Sequence, residues 1–425
     1  MANKWNKGTI CVQGGYKPKS GEPRVLPIYQ STTYKFDDPD QLANLFDLKE
    51  EGHMYSRISN PTVSAFEEKI NLLEGGVGAL ATSSGQAATM IALLNICEQG
   101  DHILALSTLY GGTLALLVNT FARFGIEVTL GDPNLSIEEL ASLCKPETKA
   151  IFTETIGNPA MNVLNFEKFS TLAKELDVPL IVDNTFPTPY LCQPIKYGAN
   201  IVVHSATKYI DGHANSIGGV VVDGGNFNWD NGKYKSLTEP DPSYHGLKYV
   251  EEFGEKAYIV KARAQLLRDI GATLTPFNGF MLNLGLETLH LRMERHSENA
   301  LKLAEYLKEH KNIEWVSYPK LKEHSDYGLA RKYLPKGASG VLTIGIKGGR
   351  DAAKKLITNL ELTALVTHLG DARTSVLHPA TTTHRQLDKK QLEEAKISEN
   401  LIRISVGIED INDIINDFEI ALNKI

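Results

Sequence analysis

The chain has 425 residues, 42% hydrophobic and 22% charged, with a formal net charge of −7. That length allows two or three domains around a large core, and an acidic balance without a basic stripe excludes nucleic acid as an expected partner. No apolar run approaches the ~20 residues of a membrane span, and the start MANKWNKGTICVQGG lacks the apolar centre of a signal peptide, so a cytoplasmic protein is expected. Cys11, Cys97, Cys144 and Cys192 lie far apart, with no CxxC pair. Reduced thiols and no metal site are the expectation.

In chain order, residues 1–60 are irregular and rich in Gly, Pro, Tyr and Ser. They are expected to form an N-terminal arm, packed on its own body or a neighbour's. Within the arm, Tyr55-Ser56-Arg57 is a surface turn or part of a site. Asn60-Pro61-Thr62 is a turn signal, and a helix is expected from about Val63, with Phe66, Ile70 and Leu73 on one apolar face.

From about residue 75 to 225 the pattern alternates strand and helix. Ala79–Thr82, His102–Leu106, Glu127–Leu130, Ala150–Thr153, Pro179–Val182, Ile201–Val203 and Gly219–Val222 all predict short buried strands. Crossovers between them predict a doubly wound sheet, with functional loops at the strand C-termini. The loops are informative. After the first strand, Ser83-Ser84-Gly85-Gln86 opens a helix whose free N–H groups suit a phosphate, or which is simply capped. After the second, Tyr110 either stacks on a heterocycle or joins the core. After the fourth, Asn158 brings an amide donor. After the fifth, Asp183 either caps a turn or pairs with a protonated pyridine nitrogen. After the sixth comes His204-Ser205-Ala206-Thr207-Lys208. A lysine at such a strand mouth, with two hydroxyls just before it, looks like a pyridoxal-phosphate lysine; the ordinary alternative is a solvated loop lysine. Each signal alone is weak, but they fall on one rim. No GxxxxGK, GxGxxG, HExxH or GxSxG competes.

Residues 225–257 predict a long ordered loop of the kind that shapes a site. Helical pattern runs from about Lys256 to Lys311, with Gly271, Pro276 and Gly285 as breaks. Strands are expected at Glu314–Tyr318 and Val341–Ile346, then a helix at Asp351–Leu360 and a loop, Thr367-His368-Leu369-Gly370-Asp371. HPATTTHRQL, a charged helix around Lys389–Lys396, a strand at 401–406 and a last helix from Ile411 complete a separate α+β domain. Arg403 alternates with Ile402 and Ile404, so it faces solvent or clamps a substrate carboxylate. Domains are expected at 1–60, 61–260 and 261–425.

Around SATKYIDGH, residues 205–213, the chain resembles the cystathionine γ-synthase-type (Cys/Met metabolism) family of fold-type I pyridoxal-phosphate enzymes, over essentially its whole length. KYIDGHANSIGGVVVDGGNFNW, EPDPSYHG, KARAQLLRDIGA and HPATTTHRQL are most similar to the branch that replaces the γ-acetoxy group of O-acetylhomoserine with sulfide or methanethiol. The resemblance implies a seven-stranded, mostly parallel sheet with helices on both faces, a C-terminal α+β domain and an N-terminal arm. It implies that Lys208 holds pyridoxal 5'-phosphate as an aldimine and later moves the substrate's Cα proton, and that Asp183 pairs with the pyridine nitrogen. Ser84, Gly85, Gln86, Ser205 and Thr207 would hold the phosphate. Tyr110 would stack on the ring and act as acid–base, Asn158 would touch the ring's oxygen side and the substrate, and Arg403 would bind the α-carboxylate. Tyr55 and Arg57 would reach a neighbouring subunit's cofactor, with Tyr55 also near substrate, in a tetramer built from dimers.

Two departures stand out. Gly112 occupies the position where methionine γ-lyases carry Cys. THLGD, around His368, replaces a longer stretch with Asn before the GD. The alternatives are a γ-elimination lyase acting on methionine or cystathionine, a cystathionine γ-synthase, or a protein that binds a sulfur carrier without strong catalysis.

Overall fold

The computed structural model describes residues 5–383, 385 and 397–425. The expected helix at Lys389–Lys396 lies outside them. Seven strands form the first sheet: β1 (Gly78–Thr82), β2 (His102–Leu106), β3 (Glu127–Gly131), β4 (Thr148–Glu154), β5 (Leu180–Asp183), β6 (Ile201–Ser205) and β7 (Gly219–Asp223). Their order is β1-β7-β6-β5-β4-β2-β3. β2 to β6 run parallel, and β7 lies antiparallel between β1 and β6.

Alternate residues of each central strand enter two separate cores. Leu180, Val182 and Val202 face one, and Ile181, Ile201 and Val203 face the other. Both faces are therefore covered, which is why these strands read as unbroken apolar runs. β3 departs from the expectation of a buried strand. It is the sheet's edge, with Glu127 and Leu130 exposed. The chain leaves β2 toward β3 and returns on the other side to β4, so the order reverses between β2 and β4. Ligand crevices of open α/β sheets form at such a point, beyond the strand C-termini.

The arm is less irregular than its composition suggests. It contains helices Lys7–Gln13 and Pro39–Phe46, and Ile10, Cys11, Leu26 and Leu45 are buried. The next helix, Pro61–Glu74, starts two residues before the expected Val63. Asn60 accepts from the Thr62 N–H at 2.9 Å, and Pro61 takes the first position, where its missing N–H costs nothing. Gly75, at φ 80°, ends the helix in the left-handed region.

Residues 225–257 are packed rather than loop-like. Trp229, Tyr234, Leu237 and Tyr249 are buried, and Trp229 stacks on Tyr258 with ring centroids 5.0 Å apart. The helix over 257–270 continues this core through Tyr258, Ala262 and Leu267. The division expected at 260/261 falls inside that helix. The following helix, Pro276–Glu287, also rests on the first body, its Gly279 against Val63. A junction near Thr288, before the long helix Leu289–Lys308, follows the packing better and is the one we propose.

The second body is a five-stranded sheet of β8 (Ile313–Ser317), β9 (Val341–Ile346), β10 (Ala364–Leu365), β11 (Ser375–Leu377) and β12 (Leu401–Ser405), in the order β10-β11-β12-β9-β8. Helices Gly349–Asn359 and Ile411–Leu422 accompany it. β10 and β11, two and three residues long, leave no recognisable period in the sequence.

Gly285 does not break its helix. A Cβ there would stand 2.4 Å from the Ile210 carbonyl oxygen and 2.5 Å from that of Asp211. The glycine instead lets the helix lie directly on the loop after β6, the loop that carries Lys208. Gly285→Ala is expected to cost about 2 kcal/mol through overpacking, read as a lower urea midpoint. An unchanged midpoint would refute this close packing.

Candidate active site

The rim of the first sheet and the loop 367–371 of the second body enclose a cavity of about 200 Å³. Ser84, Gly85, Gln86, Tyr110, Asn158, Asp183, Ser205, Thr207, Lys208 and Arg403 all line it. Tyr55 and Arg57 do not. Tyr55 is exposed, and the Arg57 guanidinium lies over its ring at 5.3 Å and donates to the Arg268 carbonyl.

At the phosphate-suited end, Ser84 caps the helix Gly85–Leu94, accepting from the Ala87 N–H at 3.2 Å. By position, the Gly85 and Gln86 N–H groups have no partner within the helix. Gly85 is required here, because a Cβ would stand 2.6 Å from that of Ser205. Thr207 exchanges two 3.1 Å hydrogen bonds with Gly218, donating to its carbonyl and accepting from its N–H. The Gln86 amide donates to the Gly112 carbonyl at 2.8 Å, tying this end to the Tyr110 loop.

Gly112 itself packs under the Tyr110 ring. A Cβ there would approach the ring to 2.5 Å, so a Cys at this position would displace the aromatic.

Opposite lie two carboxyl groups. Asp183 accepts from the Thr185 N–H at 2.9 Å and its hydroxyl at 2.5 Å, both on one oxygen. Removal from solvent raises its pKa, and the Thr185 bonds oppose that rise. Glu154 was not singled out from sequence, although it ends an apolar strand just as Asp183 does. It is buried and accepts from the Tyr110 N–H at 2.8 Å. Burial, then the neighbouring Asp183, hold its carboxyl well above the usual range.

Lys208 Nζ lies 3.3 Å from His368 Nδ1. Burial, with the Arg403 cation adding to it, brings the amine down to about 8. Burial and Lys208 push His368 down to about 4, so its ring is neutral near pH 7. Arg403 is buried rather than solvent-facing. It donates to Asn158 Oδ1 and to the His368 carbonyl, each at 3.3 Å. Among the described residues no carboxylate pairs with it at ion-pair distance. A buried guanidinium so placed, with no described counter-ion, suits an anionic ligand.

The residues fit pyridoxal phosphate. A helix N-terminus with hydroxyls suits a dianionic phosphate, a carboxylate at depth suits a ring nitrogen, and an amine of lowered pKa suits an aldehyde.

Comparison with known proteins agrees. The model of the Cys/Met metabolism PLP-dependent enzyme family matches residues 8–423. An O-acetyl-L-homoserine sulfhydrylase of Leptospira meyeri is 48% identical, covering 100% of this chain and 98% of that one. A homocysteine synthase of Schizosaccharomyces pombe is 46% identical, covering 97% of each. A solved structure described as an O-acetylhomoserine (thiol)-lyase from Campylobacter jejuni superposes with a TM-score of 0.96 at 37% identity. It covers 99% of this chain and 100% of its own, and it carries a pyridoxyl-lysine phosphate. The chain belongs to the Cys/Met metabolism PLP-dependent enzyme family.

Proposed function

We propose that this member of the family performs γ-replacement on O-acetyl-L-homoserine. Sulfide gives L-homocysteine and methanethiol gives L-methionine, with acetate released, in methionine biosynthesis. The relatives named for that activity support the substrate. The observation that carries the reading is the pairing of Lys208 and Arg403, an amine of lowered pKa and a guanidinium with no carboxylate partner among the described residues, in one cavity.

Lys208 would hold the cofactor covalently, Asp183 would pair with its ring nitrogen, and Tyr110 would hold the ring. Ser84, Gly85, Gln86, Ser205 and Thr207 would take its phosphate, and Asn158 would serve its oxygen side. When bound, the cofactor supplies an electron sink for negative charge at the substrate carbon beside its amine.

The chain's own residues do the rest. Arg403, steered by Asn158 and the His368 carbonyl, binds the substrate carboxylate and so sets Cα beside Lys208. The Lys208 amine, brought down to about 8, is free base to about a tenth at pH 7 and removes the Cα proton. Tyr110 moves a proton near the γ-carbon as the C–O bond to acetate breaks and the C–S bond forms. Loop 367–371 covers the Lys208 side and limits water.

Tyr55 and Arg57, exposed on the arm, act in a neighbouring copy's cavity, within a cytoplasmic homotetramer built from dimers. A complementation experiment tests this. Arg57→Ala and Lys208→Ala, each inactive alone, should recover about a quarter of parental activity when co-expressed in equal amounts, since about half of randomly paired dimers are mixed and each of those has one of its two shared sites intact. No recovery in verified mixed oligomers would sink the shared site.

The substrate is tested directly. With O-acetylhomoserine and sulfide, homocysteine and acetate should form together, and methionine alone should release little α-ketobutyrate. Rapid α-ketobutyrate from methionine without homocysteine synthesis would establish the γ-lyase instead.

A further inference from the structure

Glu154 ends β4 and Asp183 ends β5, and the two are register partners in the parallel pair. Both line the cavity. Two carboxyl groups so placed do not both carry charge unless each has its own cation or donors.

The donors differ in kind. Asp183 receives the Thr185 hydroxyl and N–H. The His204 imidazole, from the adjacent β6 and held to buried Glu74 at 2.7 Å, also favours its charge. Glu154 receives backbone N–H donation alone, from Tyr110 at 2.8 Å and from Asn158, whose N–H is shared with the Thr108 carbonyl, and no hydroxyl. Among the described residues no Lys, Arg or His stands at ion-pair distance from it. Asp183 also lacks such a cation among those residues, yet with a hydroxyl donor and the nearby His204 it is better equipped to be the anion than Glu154. The upward push on the Glu154 carboxyl, from burial first and Asp183 second, agrees.

The Tyr110 N–H that Glu154 accepts stands at the cap of the helical turn Gly111–Ala115, two residues before Gly112, on which the Tyr110 ring packs. One carboxyl therefore joins the end of β4 to the loop that presents the aromatic. We propose that Glu154 is a positioning residue working as the neutral acid, anchoring the Tyr110 backbone and leaving Asp183 as the one anion beneath the bound ring. The proposal rests on the cavity being the pyridoxal-phosphate site. A protonated ring nitrogen then meets a single negative charge, and the local charge balances.

The neutral form can be imitated. Glu154→Gln keeps an acceptor oxygen for the Tyr110 N–H and cannot ionise. Glu154→Ala removes the anchor. Both are compared with the parent after loading with pyridoxal phosphate, reading the circular dichroism of the cofactor's visible band, the pH midpoint of that band, and kcat against KM. The Gln variant should keep the visible dichroism and the midpoint, with kcat within about threefold of the parent. The Ala variant should lose roughly half or more of the dichroism and about tenfold in kcat, since a ring no longer held by Tyr110 is less uniquely oriented.

A Gln variant that binds cofactor yet shifts the midpoint and loses kcat as the Ala variant does would overturn the neutral-acid assignment. An Ala variant with parental dichroism and kcat would overturn the anchoring. Should Glu154→Ala fail to fold, the Gln variant still decides the question of charge. A parent that shows no visible band with pyridoxal phosphate would overturn the site reading itself, and this proposal with it.

Discussion

The loop after β6, which carries Lys208, is fixed by hydrogen bonds and close packing, and the rest of the site is arranged around it. Buried Arg292, from the long helix of the second body, donates to the Tyr209 carbonyl at 2.7 Å and to that of Gly285 at 2.6 Å. The Tyr209 hydroxyl accepts from the Gly340 N–H at 3.0 Å. Gly370 closes in from loop 367–371, where a Cβ would come within 2.8 Å of the Tyr209 nitrogen. With Gly285 against the carbonyls of Ile210 and Asp211, the turn is gripped from three sides. A flexible four-carbon side chain delivers its amine reproducibly only when its backbone is fixed in this way.

That grip also joins the two bodies electrically. The first sheet contributes the carboxyl groups Asp183 and Glu154, and the second body contributes the guanidinium of Arg403 and the neutral ring of His368. Lys208 sits between them. Residue 368 meets both partners, its ring nitrogen facing the Lys208 amine and its carbonyl accepting from Arg403. The cavity therefore sets the guanidinium at the second-body side against the carboxyl groups at the sheet edge. An amino acid carrying a carboxylate, bound against a cationic heterocycle, matches that arrangement. Family membership and the fit of the residues to pyridoxal phosphate meet at the same place.

Much of this was legible in the sequence, for physical reasons. Strands covered on both faces must be apolar throughout, so β2, β4, β5, β6 and β7 announced themselves, and for the parallel β2, β4, β5 and β6 a polar residue at or just past the end marks the rim. β3 misled because an edge strand with Val128 and Leu130 carries the same letters as a buried one. Gly285 misled because a glycine in a helix signals a break unless the backbone it must approach is known. Arg292 gave no signal, being one more basic residue in a charged helix. The pairing of Glu154 with Asp183 depends on the register of two strands whose residues lie 29 apart in sequence (183 − 154), which no local pattern encodes. Arg403 was ambiguous from alternation alone, because period two says only that it opposes Ile402 and Ile404. Tyr55 and Arg57 drew notice through the family pattern, and a single chain leaves both outside the cavity.

The central claim is that one amine, fixed by Arg292 and its neighbours, carries the cofactor. Borohydride reduction of the pyridoxal-phosphate-loaded protein, followed by digestion and mass mapping, tests it most directly. The phosphopyridoxyl mass should appear once per chain, on the peptide containing Lys208. A label on another lysine, or no stable label at full cofactor loading, would contradict it.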